Sequence, residues 1–224
     1  MELTILMPCL NEEKTIAYCI DEASSFFIQS KISGEILVAD NGSTDKTVEI
    51  AREKGARVIR VKKRGYGAAL RGGIHAARGK YVIYADADMS YNFMDCYPIY
   101  RKLKMGYALV VGNRFNSHME KGAMRVLHQY LEVPFLSLLG RLRYGVPIRD
   151  FHCGLRGLQR EAAQKLPLQS SGMEFATEII AAFAKAGMPM TQVNIRFRKD
   201  RREGRSHLRT LRDGMRHLIY MAKR

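Results

Sequence analysis

The sequence predicts an α/β fold with a mainly parallel central sheet flanked by helices. Two patterns lead there. Short apolar runs alternate with helix-periodic segments through the first half of the chain, which implies a parallel sheet covered on both faces. Each apolar run also ends in a polar or glycine-bearing loop, as ligand-binding open sheets do at the carboxyl ends of their strands. The chain has 224 residues, 46% hydrophobic and 26% charged, a balance that suits one domain and excludes collagen, coiled coil and global disorder.

The elements follow in order. Leu3–Met7 is an apolar run ending at Pro8, and Glu12–Phe27 is helix-periodic, with Ile16, Cys19, Ile20 and Ala23 on one face. Glu35–Ala39 is a second strand. Thr44–Lys54 reads as a helix, with Ser43 as N-cap and Gly55 as its stop. Arg57–Val61 is a third strand, Gly67–Ala77 a helix, Tyr81–Ala85 a fourth strand, Met94–Lys104 a helix and Ala108–Val111 a fifth strand. The second half is less regular. Gly122–Gly140 reads as an unusually apolar helix, Leu155–Leu158 as a strand before a short helix, Phe175–Ala186 as a helix and Gln192–Phe197 as a strand. Leu208–Met221 is an amphipathic helix whose Leu208, Leu211, Met215, Leu218 and Ile219 share one face. The domain reading is a catalytic-type domain over 1–207 and a basic amphipathic helix over 208–224.

Composition narrows the function classes. No run of 18 apolar residues occurs, and the longest apolar stretch, Val133 to Gly140, is too short to span a bilayer. No signal peptide is read at the N-terminus. Cys9, Cys19, Cys96 and Cys153 form no C-x-x-C pair and suit reduced thiols, so a cytoplasmic location is expected. The net charge of +15 is uneven: residues 1–59 carry six Lys/Arg against ten Asp/Glu, whereas residues 196–224 carry eleven against three. Such a basic end attracts polyanions, anionic lipid or a phosphorylated substrate, or simply forms a solvated face.

The strand ends hold the chemistry. They read Pro8-Cys9-Leu10-Asn11-Glu12, Asp40-Asn41-Gly42-Ser43-Thr44-Asp45, Lys62-Lys63-Arg64-Gly65-Tyr66-Gly67, Asp86-Ala87-Asp88 and Gly112-Asn113-Arg114. Asp86 and Asp88 alternate in one extended segment, so both carboxylates face one way. Two hard oxygen donors suit Mg²⁺ or Mn²⁺ bridging to phosphates, or they are turn aspartates. Asp40 accepts from a ribose or base, or closes an Asx-turn. Leu70 stands where a dinucleotide fingerprint needs glycine, no Walker A loop occurs, and neither H-E-x-x-H nor G-x-S-x-G is present.

In this combination the sequence resembles family 2 glycosyltransferases of the GT-A (Rossmann-like) fold, particularly the dolichyl- or polyprenyl-phosphate mannose and glucose synthases. The motifs just quoted carry the resemblance, together with Asp86-x-Asp88-Met89-Ser90, Asp150-Phe151-His152-Cys153-Gly154-Leu155-Arg156, Met173-Glu174-Phe175 and the basic loop Arg201 to His207. The resemblance implies that Pro8, Leu10, Glu12, Val38 and Asp40 surround the base and ribose, and that Ala85, Asp86, Ala87 and Asp88 meet the diphosphate. Asp86, Asp88 and Ser90 hold the metal. Arg114 faces the phosphates or the acceptor, and Arg201 or Arg202, with His207, closes over the diphosphate. Asp88, Arg114 and Arg202 form the catalytic set. Relatives commonly carry Lys at the position of His207, and some carry Gln at that of Ser90.

The implied reaction is metal-dependent, inverting transfer of a hexose from GDP-mannose or UDP-glucose to a polyprenyl phosphate, at the cytoplasmic face of a membrane and without nucleic acid. An anionic phosphate acceptor needs little general-base help. A saccharide hydroxyl needs a carboxylate, and Glu174 and Asp150 are then the candidates. Many relatives continue past the C-terminal helix into transmembrane segments. Membrane contact is expected here from Leu208–Met221 and Val126–Leu139, with core packing the alternative for both. Three rivals remain: transfer to a saccharide hydroxyl, a sugar-1-phosphate nucleotidyltransferase, whose Gly-rich loop after the first strand is missing, and a non-catalytic nucleic-acid-binding domain.

Overall fold

The computed structural model describes residues 1–115, 119–124, 126–201 and 210–223. Its elements run β1 (Leu3–Cys9), α1 (Ile16–Ser30), β2 (Gly34–Asp40), α2 (Thr47–Glu53), β3 (Arg57–Arg60), α3 (Tyr66–Ala76), β4 (Tyr81–Tyr84), α4 (Cys96–Lys104), β5 (Leu109–Asn113), α5 (Val133–Tyr144), β6 (Arg156–Gln159), α6 (Arg160–Gln164), α7 (Phe175–Lys185), β7 (Met190–Asn194) and α8 (Thr210–Lys223). The seven strands form one sheet in the order β3-β2-β1-β4-β6-β5-β7. β6 lies antiparallel to both β4 and β5, and the other pairs are parallel. The expected α/β architecture is therefore present.

Burial explains the strands. Every residue of β1 and β4 is buried, because helices cover both faces, and such strands read as continuous apolar runs. α1 places Ile16, Cys19, Ile20, Ala23 and Phe26 against the sheet, its 3.6-residue stripe intact. The register Leu3↔Gly34 through Cys9↔Asp40 brings the ends of β1 and β2 level, and β4 ends beside them. Three of the chemistry-bearing loops thus open on one edge.

Four readings need correction. α2 begins at Thr47, and Ser43 does not cap it: its Oγ accepts the Asn11 amide at 2.9 Å, while Asp45 Oδ1 accepts the Thr47 amide at 3.0 Å. The 122–140 segment does not form one helix from Gly122. Residues 121–124 form turns and bends, and the helical backbone described from residue 126 passes through a widened π-turn, His128–Glu132, before α5. Pro134 has no N–H to return to Tyr130, which disrupts the regular α-helical ladder there. Nor does the helix end at Gly140. That residue sits where a Cβ would lie 2.4 Å from the Phe151 ring, and the helix ends at Gly145, φ 62°. The last strand stops at Asn194 instead of Phe197. β7 pairs with β5 only that far, after which Phe197 leaves the sheet to bridge Tyr91 and Met119.

α8 packs on α5 and α7. It buries His217 and Met221, while Met215 and Ile219 face outward. The two described members of the expected apolar face with clear exposure are thus on the open side. Leu208 lies outside the described residues.

Candidate nucleotide-sugar site

The loops at the carboxyl edge are stitched to one another. Asn11 takes a left-handed φ of 57°, which asparagine tolerates, and its Oδ1 accepts the Thr44 amide at 2.8 Å. The Glu12 amide donates to Thr47 Oγ1 at 2.7 Å. Asp40 is fully buried, and its carboxylate accepts the amides of Gly42 (3.2 Å) and Ser43 (2.9 Å), closing an Asx-turn. Asn41 then ties in the third loop. Its Nδ2 donates to the carbonyls of Val61 and Lys63, and its Oδ1 accepts the Gly65 amide at 2.6 Å. Gly65, at φ 122°, leaves no room for a side chain: a Cβ would lie 2.1 Å from the Ser171 carbonyl oxygen.

A cavity of about 590 Å³ opens at this edge, a size suited to a small-molecule ligand. Pro8, Leu10, Glu12, Asp86, Ala87, Asp88, Ser90 and Arg114 all line it. Val38, Asp40 and Ala85 are fully buried and act through the strands and turns that carry these residues. Arg201 is exposed. Arg202 and His207 lie outside the described residues.

Asp86 and Asp88 both form part of the cavity wall. Asp88 is buried, and its Oδ1 accepts the amide of Ser90 at 3.0 Å as well as the Ser90 hydroxyl. Met89 between them has φ 67°, a strained conformation for methionine that turns the chain sharply at the carboxylates. Tyr66 hydrogen-bonds Asp86, and burial first, then that carboxylate's charge, push the phenol well above its ordinary pKa. Gly154 lies so close that a Cβ would meet Asp86 Oδ2 at 2.5 Å. Among the described residues no cluster of three or more His, Cys, Asp or Glu donors forms. Two carboxylates are nevertheless the usual protein share for Mg²⁺, which completes its shell with water and substrate phosphate. The donor set fits such an ion. Ser90 reaches the site through Asp88.

The chain after β7 returns across this segment. The Arg198 amide donates to the Ser90 carbonyl at 2.8 Å and the Arg201 amide to the Asp88 carbonyl at 3.2 Å. Arg198 is anchored by its guanidinium to Glu22 at 2.9 Å. The start of the basic loop is thereby tied to the backbone of Asp88 and Ser90, a placement the sequence motif alone did not reveal.

The far wall is cationic. Arg114 is buried and forms a two-pronged pair with Asp150, Nε to Oδ2 at 2.7 Å and Nη2 to Oδ1 at 2.8 Å, beneath the Phe197 ring. Burial opposes its charge, but Asp150 outweighs it and holds the pKa above the ordinary guanidinium value. Arg156 is fully buried and donates to the carbonyls of Phe151, Cys153 and Ala176. Glu174 is bound by Arg216 of α8 at 2.9 Å and accepts the Gly172 amide. His152 and His217 meet edge to face at 4.4 Å, and His217 shares a 2.8 Å hydrogen bond with Thr177. Burial lowers both, His217 to about 4 and His152 well below the usual imidazole value, so both are neutral at pH 7. Cys9 and Cys153 also line the cavity, but burial raises both thiols, that of Cys153 to about 12, so neither is a thiolate nucleophile.

Sequence reasoning missed Asn41, His217 and Arg216 as site residues. Asn41 stood in plain sight in the second strand-end motif. The other two depend on how α8 docks, which no local pattern encodes.

Comparison with known proteins agrees with this geometry. A family model described as glycosyl transferase family 2 matches residues 4–167. The low-salt glycan biosynthesis hexosyltransferase Agl6 of Haloferax volcanii is 35% identical over 220 residues, covering 98% of this chain and 52% of Agl6. The chain thus spans about half the length of that relative. The dolichyl-phosphate beta-glucosyltransferase of Drosophila melanogaster is 29% identical, covering 88% of this chain and 67% of that protein. Glucosyl-3-phosphoglycerate synthase of Mycobacterium tuberculosis, solved with Mn²⁺, UDP-glucose and phosphoglyceric acid, superposes with a TM-score of 0.76 at 26% identity, covering 99% of this chain and 78% of that one. From strand order, site and family match together, the chain belongs to glycosyl transferase family 2.

Proposed function

We propose that the protein transfers a hexose, mannose or glucose, from a nucleotide diphosphate sugar to a polyprenyl phosphate, with inversion. The observation that carries the reading is the Asp86–Asp88 pair on the cavity wall, with the Arg198–Arg201 segment hydrogen-bonded to the backbone of Asp88 and Ser90. Asp86 and Asp88 would hold Mg²⁺ or Mn²⁺, which when bound supplies charge neutralisation for the departing diphosphate. Pro8, Leu10 and Glu12 bound the nucleotide end of the cavity, while Arg201, with Arg202 and His207 of the same loop, meets the phosphates. Ser90 fixes the rotamer of Asp88. Arg114, held rigid by Asp150, presents a permanent cation to the phosphates or the incoming acceptor.

The acceptor class rests on what the carboxylates are doing. Asp150 is bound bidentately by Arg114 and fully buried, and Glu174 is paired with Arg216. Neither is poised as a general base. A phosphate acceptor is already anionic and needs none, whereas a sugar hydroxyl does. The dolichyl-phosphate glucosyltransferases among the relatives support the same class. With a lipid acceptor the enzyme works at the surface of a membrane, and its four free cysteines suit the cytoplasmic face.

Glu174→Gln tests the acceptor class. Transfer to polyprenyl phosphate is expected to fall less than about tenfold, because losing a general base costs about 10²- to 10⁴-fold. A loss in that larger range, with a kcat that no longer rises with pH, would assign Glu174 as base and a hydroxyl as acceptor.

A further inference from the structure

The Gly65-Tyr66-Gly67 motif follows a strand, where glycines often let a ligand approach the backbone. Here the space beside both glycines is taken up by protein. A Cβ on Gly65 would lie 2.1 Å from the Ser171 carbonyl oxygen, and one on Gly67 would lie 2.7 Å from both Phe175 Cβ and the Ser170 carbonyl oxygen. The Ala68 amide also donates to the Ser171 carbonyl at 3.2 Å. The two glycines thus seat the first turn of α3 in the segment before α7, with no room to shift. Tyr66 stands between them, so this seating fixes its aim. Its side chain lines the cavity and hydrogen-bonds the carboxylate of Asp86. Asp86 is also hemmed in by Gly154, where a Cβ would lie 2.5 Å from Oδ2. Gly154 is in turn held by its amide, which donates to the Tyr91 hydroxyl at 2.7 Å. Tyr84 lines the cavity as well, but its hydroxyl is engaged by Arg156.

We propose that Tyr66 is a positioning residue for the divalent cation: its hydroxyl holds Asp86 in the rotamer that presents the carboxylate beside Asp88. The inference rests on the reading of Asp86 and Asp88 as the metal-holding pair. The two carboxylates are fixed in different ways. Asp88 is held locally, by the amide and hydroxyl of Ser90 two residues on. Asp86 takes its hydrogen bond from another element, α3. A phenol is protonated at neutral pH and donates to a carboxylate without neutralising it, so Asp86 keeps its charge for the cation. Carboxylates that ligate metals are themselves hydrogen-bonded, and removing such a partner typically costs about 10- to 100-fold in metal affinity. Phenylalanine at position 66 would keep the ring that packs there and lose only the hydroxyl.

Mn²⁺ binding to the full chain tests the proposal, read by electron paramagnetic resonance with the ion alone and with UDP or GDP present. The parent is expected to bind Mn²⁺ and Asp86→Asn to lose it. Tyr66→Phe is expected to weaken Mn²⁺ about 10- to 100-fold, with unchanged circular dichroism. In transfer assays the Mn²⁺ concentration for half-maximal rate should rise by the same factor, while the rate at saturating Mn²⁺ returns towards that of the parent. Tyr66→Leu, which removes the ring as well, is expected to bind Mn²⁺ no better than Tyr66→Phe. Tyr100→Phe removes a hydroxyl that bonds Glu2 at 3.1 Å, away from the cavity, and is expected to bind Mn²⁺ as the parent does. Mn²⁺ held by Tyr66→Phe as tightly as by the parent, or a loss confined to Tyr66→Leu, would overturn the role of the hydroxyl and leave the metal site standing. No binding by the parent, or equal binding by the parent and Asp86→Asn, would overturn the metal reading and the inference with it.

Discussion

Single residues at this site act mainly by holding one another. Arg114 and Asp150 are a buried pair, 6% and 0% exposed, and neither charge has bulk water to fall back on. Asp150→Asn is therefore expected to destabilise the fold by about 3–5 kcal/mol, the usual cost of orphaning a buried charge, as read by urea denaturation. The histidines give a second prediction. His217 titrates near 4 in the folded chain against about 6.5 unfolded. The unfolded chain therefore binds the proton first. Stability should be level above pH 6.5 and fall towards pH 4, by up to about 1.4 kcal/mol per pH unit for this group. His152, lowered by burial in the same way, adds to the slope. Thermal midpoints across that range check it, and His217→Gln should flatten the fall. Asp86, Asp88 and Arg114 were legible because polar residues directly after apolar runs stand out. Asn41 and Arg216 were not, because their partners are 20 or more residues away in sequence.

At the scale of elements, the strands were the clearest feature. β1, β2 and β4 are short apolar runs with abrupt polar ends, and their observed bounds differ from expectation by a residue or two. The failures were at positions where long-range packing overrides local signal. The helix expected to end at Gly140 runs on to Tyr144, with Gly140 a contact point for Phe151, and the expected apolar face of α8 points partly outward. Gly65 shows the same principle to advantage. Its φ of 122° and its approach to Ser171 join the third loop to the segment before α7. Gly65→Ala is expected to cost at least about 2 kcal/mol, since strain at such a position adds about 1–3 kcal/mol before any clash. It should also raise the donor KM, as measured by denaturation and by initial rates.

Across the whole molecule, charge divides the cavity lining: the acidic first quarter supplies Pro8, Leu10 and Glu12, and the basic remainder supplies Arg114, Arg156 and Arg216. The net +15 was visible at once, but which arginines face the cavity needed the fold. No helix among the described residues is long and apolar enough to cross a membrane. The carboxylate pair after β4 is proposed to direct a hexose onto a lipid phosphate. The most direct measurement is organic extraction of labelled product from GDP-mannose, UDP-glucose or UDP-N-acetylglucosamine, with polyprenyl phosphate and Mn²⁺ or Mg²⁺. One hexose donor is expected to give a lipid-linked sugar, lost with EDTA and reduced at least about 100-fold in Asp88→Asn. Undiminished product in that variant, or label found only on a free saccharide, would contradict the claim.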